Sequence, residues 1–375
     1  MLIDKYMIPY GHQYIDNQDI KSVLNVLKSD WLTQGPKILD FEKSLAKYCD
    51  AKYAVAVCNG TMALHLAYLV AGLSKLDEVI TTPNTFVATT NMILAVGAKP
   101  VFCDIRNDTF NIDEAKIENF ITKKTKAIVP VHFAGHPCEM EVIQKIAKRH
   151  KLIVIEDACH ALGAQYKGSN IGSCKYSDMT IFSFHPVKSI TTAEGGAILT
   201  NNKNIYQKLL LLRSHGIEKD KKGFNVMTEL GFNYRLSDIS ASLGLSQLKK
   251  LDSFIKKRHE VVRWYKKELS NVKEIILPKE LPRLKSSWHI YVIITKRKKN
   301  RIPLYLYLKK HNIGVNFHYP CIYEHPYYKK NGFKKNRCLN AEIYSKTAIT
   351  LPLHVLIKKE DIKFISKIIR SFFEA

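Results

Sequence analysis

The sequence predicts an α/β fold: a large part built on a mostly parallel sheet, followed by a smaller α+β C-terminal part. Three observations predict it. Through about residue 235, short apolar runs alternate with helical patterns. Those runs are apolar throughout, as strands covered on both faces require. Beyond residue 235 the alternation stops, and a chain of 375 residues fits two or three domains at roughly 150 residues each.

The elements follow in order. Asp16 is placed to cap a helix in which Ile20, Val23, Leu24 and Leu27 form one apolar stripe. Buried strands are expected at 54–57, 79–81, 100–102, 127–131, 152–155, 180–184 and 197–200. Segments 62–70 and 142–150 read as helices between them, the alternation of a mostly parallel α/β sheet. After residue 235, segments 236–251 and 257–269 are helical in pattern, and a Pro- and Lys-containing connection follows at 277–283. A strand at 288–295 and helices near 303–311 and 359–373 complete the chain. The expected domains are 1–245 and 246–375.

Composition narrows the function. Lys plus Arg is 58 and Asp plus Glu is 34, a net charge of +24. Such a surplus suits nucleic acid, an anionic surface or an anionic small molecule, or else only a solvated Lys-rich surface. The basic residues are interspersed, with one dense run, Lys296-Arg297-Lys298-Lys299-Asn300-Arg301, that reads as a solvated face. With no helix-turn-helix or zinc spacing in view, a nucleic-acid-binding regulator is the remote alternative and no nucleic-acid partner is expected. The eight cysteines are scattered and form no Cys-x-x-Cys pair, so reduced thiols are expected, with no metal. No stretch approaches the roughly 20 apolar residues of a membrane span. The first residues carry a charge of each sign and no apolar core of a signal peptide. A cytoplasmic protein without a membrane partner is the expectation.

Three segments carry chemistry. In Cys58-Asn59-Gly60-Thr61-Met62-Ala63 a strand ends in a glycine turn and a hydroxyl residue opens a helix. That is a phosphate cradle or an ordinary Thr N-cap. In Ile155-Glu156-Asp157-Ala158-Cys159-His160-Ala161, Asp157 follows an apolar strand, where open α/β sheets place ligands. A carboxylate there can hold the protonated nitrogen of a pyridine ring, or it can cap a helix, and His160 can be a satisfied buried histidine. In segment 182–197 Lys188 lies between an apolar strand and a Gly-Gly turn. It is either a surface lysine or, in a dry cleft, an amine with a lowered pKa that can form a Schiff base.

Taken together, the Lys188 segment, residues 156–161, Thr81-Thr82-Pro83-Asn84-Thr85-Phe86 and Asn233-Tyr234-Arg235-Leu236-Ser237-Asp238 resemble the DegT/DnrJ/EryC1/StrS family of pyridoxal-phosphate-dependent sugar aminotransferases. The resemblance runs from about residue 8 to residue 370, with Leu32-Thr33-Gln34-Gly35 and Gly314-Val315-Asn316-Phe317-His318-Tyr319 as further matches. It implies the aspartate aminotransferase-like fold type I, pyridoxal 5'-phosphate as cofactor, and a homodimer with shared active sites. Residues 1–245 would then be the cofactor-binding domain. By position, Lys188 would be the Schiff-base lysine, Asp157 would pair with the pyridine nitrogen, Phe86 would stack on the ring and His160 would lie near its hydroxyl. Thr61, the Met62 amide and Ser183 would bind the phosphate, joined by Asn233 from the partner subunit. Gln34, His318 and Tyr319 would border the substrate, and Arg235 is a candidate for a glutamate carboxylate. Some relatives carry histidine in place of the lysine and act as dehydratases; lysine at 188 favours transamination.

Within the family the chain looks closest to the pseudaminic acid pathway transaminases. The implied reaction moves an amino group from L-glutamate to C4 of a UDP-4-keto-6-deoxy-N-acetylhexosamine. The alternatives are 4-keto sugars of the bacillosamine, legionaminic acid, viosamine or perosamine type. Asn316 and Phe317 stand where close relatives more often carry Gln and Val.

Overall fold

The computed structural model describes residues 7–333 and 338–374. After α1 (Asn17–Leu27) and α2 (Pro36–Cys49), strand and helix alternate. The series is β1 (Tyr53–Val57), α3 (Gly60–Val70), β2 (Glu78–Thr81), α4 (Val87–Ala95), β3 (Lys99–Phe102), β4 (Thr125–Val129), α5 (Met140–His150) and β5 (Ile153–Asp157). A short hairpin, β6 (Gln165–Tyr166) and β7 (Ser169–Asn170), precedes β8 (Met179–Ser183), β9 (Gly196–Thr200) and α6 (Lys203–Arg213). An exposed hairpin of β10 (Ile217–Lys219) and β11 (Asn225–Met227) leads to α7 (Asp238–Leu248) and α8 (Leu251–Leu269). The rest of the chain holds β12 (Ile275–Ile276), β13 (Leu284–Lys285), β14 (Tyr291–Thr295), α9 (Arg301–Lys310), α10 (Pro326–Lys330), α11 (Leu339–Ser345), β15 (Ala348–Leu351) and α12 (Lys359–Glu374).

The central sheet has seven strands in the order β1-β9-β8-β5-β4-β2-β3. Strand β9 runs antiparallel to both neighbours, whereas β2–β3, β2–β4, β4–β5 and β5–β8 are parallel. The sheet is thus mostly parallel, as the unbroken apolar runs predict. Because β1 and β8 each oppose β9, they share a direction. The C-terminal ends of β1, β5 and β8 therefore meet at one edge, the edge at which parallel sheets collect their ligands.

One core packs α2 and α5 on the sheet and takes in Leu251, Phe254 and Ile255 from the first turns of α8. Another begins with Val261, Val262, Tyr265 and Leu269 of the same helix and joins them to β14, β15, α9 and α12. Helix α8 therefore serves both cores. Sequence patterning ran 236–251 together as one helix; the structure ends α7 at Leu248 and starts α8 at Leu251.

Helix α1 corrects the predicted stripe. Asp16 does cap it, accepting from the Gln18 and Asp19 amides. Ile20, Leu24 and Leu27, however, are 56%, 44% and 53% exposed, and the buried residues are Asp19 and Val26. The reason is polar anchoring. The Asp19 carboxylate accepts from Gln247 Nε2 and Lys250 Nζ, both at 2.7 Å, which turns that face inward and the apolar stripe outward.

Strand β1 is an edge strand, and its outer side is covered. Glu42 of α2 accepts from the Ala56 amide at 2.8 Å, and Arg213 of α6 donates to the Ala56 carbonyl at 2.8 Å. The two side chains also pair with each other. Burial pushes the Glu42 carboxyl pKa up, and the guanidinium opposes that rise. Arg213→Met leaves a buried carboxylate unpaired and is expected to cost about 3–5 kcal/mol in urea unfolding. Lys37→Met, which breaks the exposed Lys37–Asp40 pair, should cost less than about 1 kcal/mol.

Candidate active site

A cavity of about 870 Å³ opens at the sheet edge where β1, β5 and β8 end. Thr61, Phe86, Asp157, His160, Ser183 and Lys188 line it from the sheet side. His289, Asn316, Phe317, His318 and Tyr319 line it from the C-terminal side.

Asp157 is the last residue of β5 and is buried. Its Oδ2 accepts from Thr89 Oγ1 at 2.7 Å and its Oδ1 from the Cys159 amide at 3.2 Å. Thr89 is itself paired with Thr85 at 2.7 Å. Two fixed donors orient the carboxylate and leave it further lone pairs. Lys188 borders the same cavity. Desolvation pushes its ammonium pKa down, against the pull of Cys159 and Asp157. The amine is thereby biased toward its neutral, nucleophilic form.

Helix α3 points its N-terminus at this edge. Its N-cap is Asn59, whose side chain accepts from the Met62 amide at 2.9 Å, so the alternative of a Thr61 cap is corrected. Gly60 and Thr61 border the cavity; Met62 is held by Asn59 and is not part of the lining. A Cβ at Gly60 would come within 2.9 Å of the Ser183 Cβ. Only glycine lets the helix start lie this close to the end of β8. Phe86, at the start of α4, borders the cavity and is 56% exposed.

His160 is buried, with Nε2 3.2 Å from the Tyr319 hydroxyl and Nδ1 without a partner. His289 packs against its ring at 4.3 Å between centroids. His318 Nδ1 lies 2.8 Å from Thr350 Oγ1. Gln34 and Asn233 are exposed and do not border the cavity of their own chain. Patterning missed Thr89, which follows Thr85 by one helical turn, and that spacing is the signal that finds it. It also missed His289, which sits in no motif.

Burial pushes the His318 imidazole down to about 4, helped by Lys188, and pushes His160 and His289 well below the usual value. Unfolded histidine protonates near 6.5, so as pH falls below about 6.5 the unfolded chain takes up protons that the folded one refuses. Stability is complete above that pH and is lost toward pH 4. From pH 7 to 5 the cofactor-free protein should lose about 2 kcal/mol through His318 alone. His318→Asn should remove that part of the slope in urea titrations.

The DegT/DnrJ/EryC1/StrS aminotransferase family matches residues 13–370. A UDP-4-amino-4,6-dideoxy-N-acetyl-beta-L-altrosamine transaminase of Campylobacter jejuni is 43% identical over 373 residues, covering 98% of each chain. PseC of Helicobacter pylori, an aminotransferase involved in pseudaminic acid biosynthesis, superposes with a TM-score of 0.94 at 36% identity, over 98% of this chain and 99% of that one. Spr1654 of Streptococcus pneumoniae superposes in its PLP form with a TM-score of 0.93 at 30% identity, over 98% and 99% of the two chains. The site fits pyridoxal phosphate on its own geometry. It offers a held carboxylate, a desolvated amine, an unpartnered His160 nitrogen, an exposed Phe86 and a glycine-tight helix start. This chain belongs to the DegT/DnrJ/EryC1/StrS aminotransferase family and is a pyridoxal-phosphate-dependent enzyme.

Proposed function

We propose that the enzyme moves an amino group from L-glutamate to C4 of a UDP-4-keto-6-deoxy-N-acetylhexosamine. The observation that carries this reading is the desolvated Lys188 amine sharing a cavity with Asp157, in a chain alike over its whole length to the C. jejuni transaminase. In this reading residues 1–245 carry the cofactor and residues 246–375 close the site over it.

Bound pyridoxal phosphate supplies an aldehyde that captures the amino group and a ring that takes up the electron pair left on the substrate carbon. Asp157, held by Thr89 and the Cys159 amide, keeps a proton on the ring nitrogen. Lys188 takes the proton from the α-carbon of the donor and later returns one to C4 of the sugar; desolvation, which lowers its pKa, favours the neutral amine that this needs. The Thr61 and Ser183 hydroxyls and the amides of Gly60 and Thr61 at the start of α3 receive the phosphate; the Met62 amide, taken by the Asn59 cap, does not. Phe86 covers the ring, and His160, with its open Nδ1, serves the ring hydroxyl. Donor and acceptor use one cavity in turn, so the kinetics are ping-pong. His318 and Tyr319 border the acceptor.

A second copy of the chain completes the site. The outward stripe of α1 is followed by exposed Trp31 and Leu32, and the β10–β11 hairpin with the segment after it exposes Phe224, Met227 and Leu230. Single apolar residues at a surface are ordinary, but this many on two stretches of sequence favour a partner. Asn233 and Gln34, which miss the cavity of their own chain, reach that of the partner in this homodimer. No helix among the described residues is long and apolar enough to cross a membrane.

The test is an assay with L-glutamate and the 4-keto UDP-sugar, with the product identified by mass. Lys188→Ala should lower turnover by at least ~10²–10⁴-fold, the range of a positioned acid–base group. Asp157→Asn, which removes a charged hydrogen bond worth about 1.5–3 kcal/mol, should lower it ~10–100-fold. Preferred turnover of a GDP- or dTDP-sugar would overturn the choice of acceptor.

A further inference from the structure

Phe317 reaches the cavity, and it is held on both faces. The Arg301 guanidinium carbon lies 3.6 Å from the centroid of its ring. The Tyr305 ring stacks on it at 4.4 Å, tilted by 30°. At those distances two planar groups cannot occupy one face without overlapping, so they lie on opposite sides. Arg301 and Tyr305 are one helical turn apart on α9, the spacing that lets two side chains grip a third. Lys309, a further turn on, sits over Tyr305 at 5.5 Å. The result is a column of two stacked rings with a cation at each end, joined by two cation–π contacts and one aromatic contact.

The column is tied down. Arg301 Nε donates to the Ala348 carbonyl at 3.0 Å. The Phe317 amide donates to Asn316 Oδ1 at 2.7 Å, and Asn316 pairs with Thr350 of β15 through both backbone groups. Arg301 thereby departs from its exposed neighbours at 296–299, all of which remain on the surface.

With both faces covered, Phe317 can offer the cavity only its ring edge, a rigid apolar boundary. The groups suited to the cofactor, Thr61, Phe86, Asp157, Ser183 and Lys188, all come from the sheet side. The opposite wall is left to the incoming acceptor. A 4-keto UDP-sugar is polar except at its 6-methyl and its N-acyl group, and the N-acyl group is the larger. We propose that Phe317, clamped by Arg301 and Tyr305, is a specificity-determining wall that limits the size of the N-acyl group of the acceptor. This rests on the acceptor class assigned above.

The experiment compares kcat/KM for two acceptors, the N-acetyl sugar and its N-butanoyl counterpart, in the cofactor-loaded enzyme. Both share the glutamate half-reaction, so their ratio is blind to general damage. Wild type should favour the N-acetyl sugar by about ten-fold or more, and Phe317→Val should cut that preference by about ten-fold, the scale of a methylene-sized change in an apolar pocket. Arg301→Met, which frees one face of the ring without touching the cavity, should move the ratio the same way. Phe317→Leu gives a second reading where the valine variant fails to fold. A ratio unchanged in the folded Phe317 variants, with both sugars turned over, overturns the wall alone. Turnover of neither sugar by wild type overturns the acceptor class and the wall with it.

Discussion

A carboxylate and an amine share one cavity, and the rest of the structure is arranged to hold them there. Asp157 is held in place because Thr89 and the Cys159 amide donate to it. For Lys188, losing water favours the neutral form. Each group depends on the sheet edge, where β5 delivers Asp157 and the segment after β8 returns Lys188 toward it. A lysine on an open surface would keep its proton and its hydration shell, and neither Schiff-base chemistry nor proton transfer would follow.

The C-terminal part supplies the other wall and the means to hold it still. Thr350 of β15 pairs with Asn316 through the backbone and with His318 through its hydroxyl. Tyr344 donates to the His318 carbonyl at 2.6 Å. Arg258 of α8 donates to the carbonyls of Trp288, His289 and Leu353, and so fixes the strand entry that carries His289. Helix α8 contributes to both cores, which makes it the common frame for the two sides of the cavity. Tyr319 then closes the contact across the cavity by meeting His160.

Much of this was legible in the chain, for physical reasons. Strands buried on both faces cannot alternate, so their apolar runs are plain in sequence, and the residue after such a run lies at the ligand edge by topology. That is why Asp157 was readable. Lys188 was less so, because nothing about one lysine in a basic chain singles it out; its burial is a tertiary fact, and only the resemblance of the whole segment pointed to it. The stripe on α1 misled because an apolar face marks what is covered in the assembled protein, and here the buried Asp19 holds the other face against α7. Thr89 and His289 act through contacts between distant segments, which a linear pattern does not encode. The grip on Phe317 was half visible: Arg301 and Tyr305 have helical spacing, but the ring they hold comes from a different element.

The central claim is that burial beside Asp157 selects Lys188 from all the lysines of the chain. The most direct measurement is borohydride reduction of the pyridoxal-phosphate-loaded protein, followed by mass mapping of its peptides. The account predicts a pyridoxyl group on Lys188 and on no other lysine at one equivalent of cofactor. Labelling at another lysine, or spread over the basic surface, would contradict it.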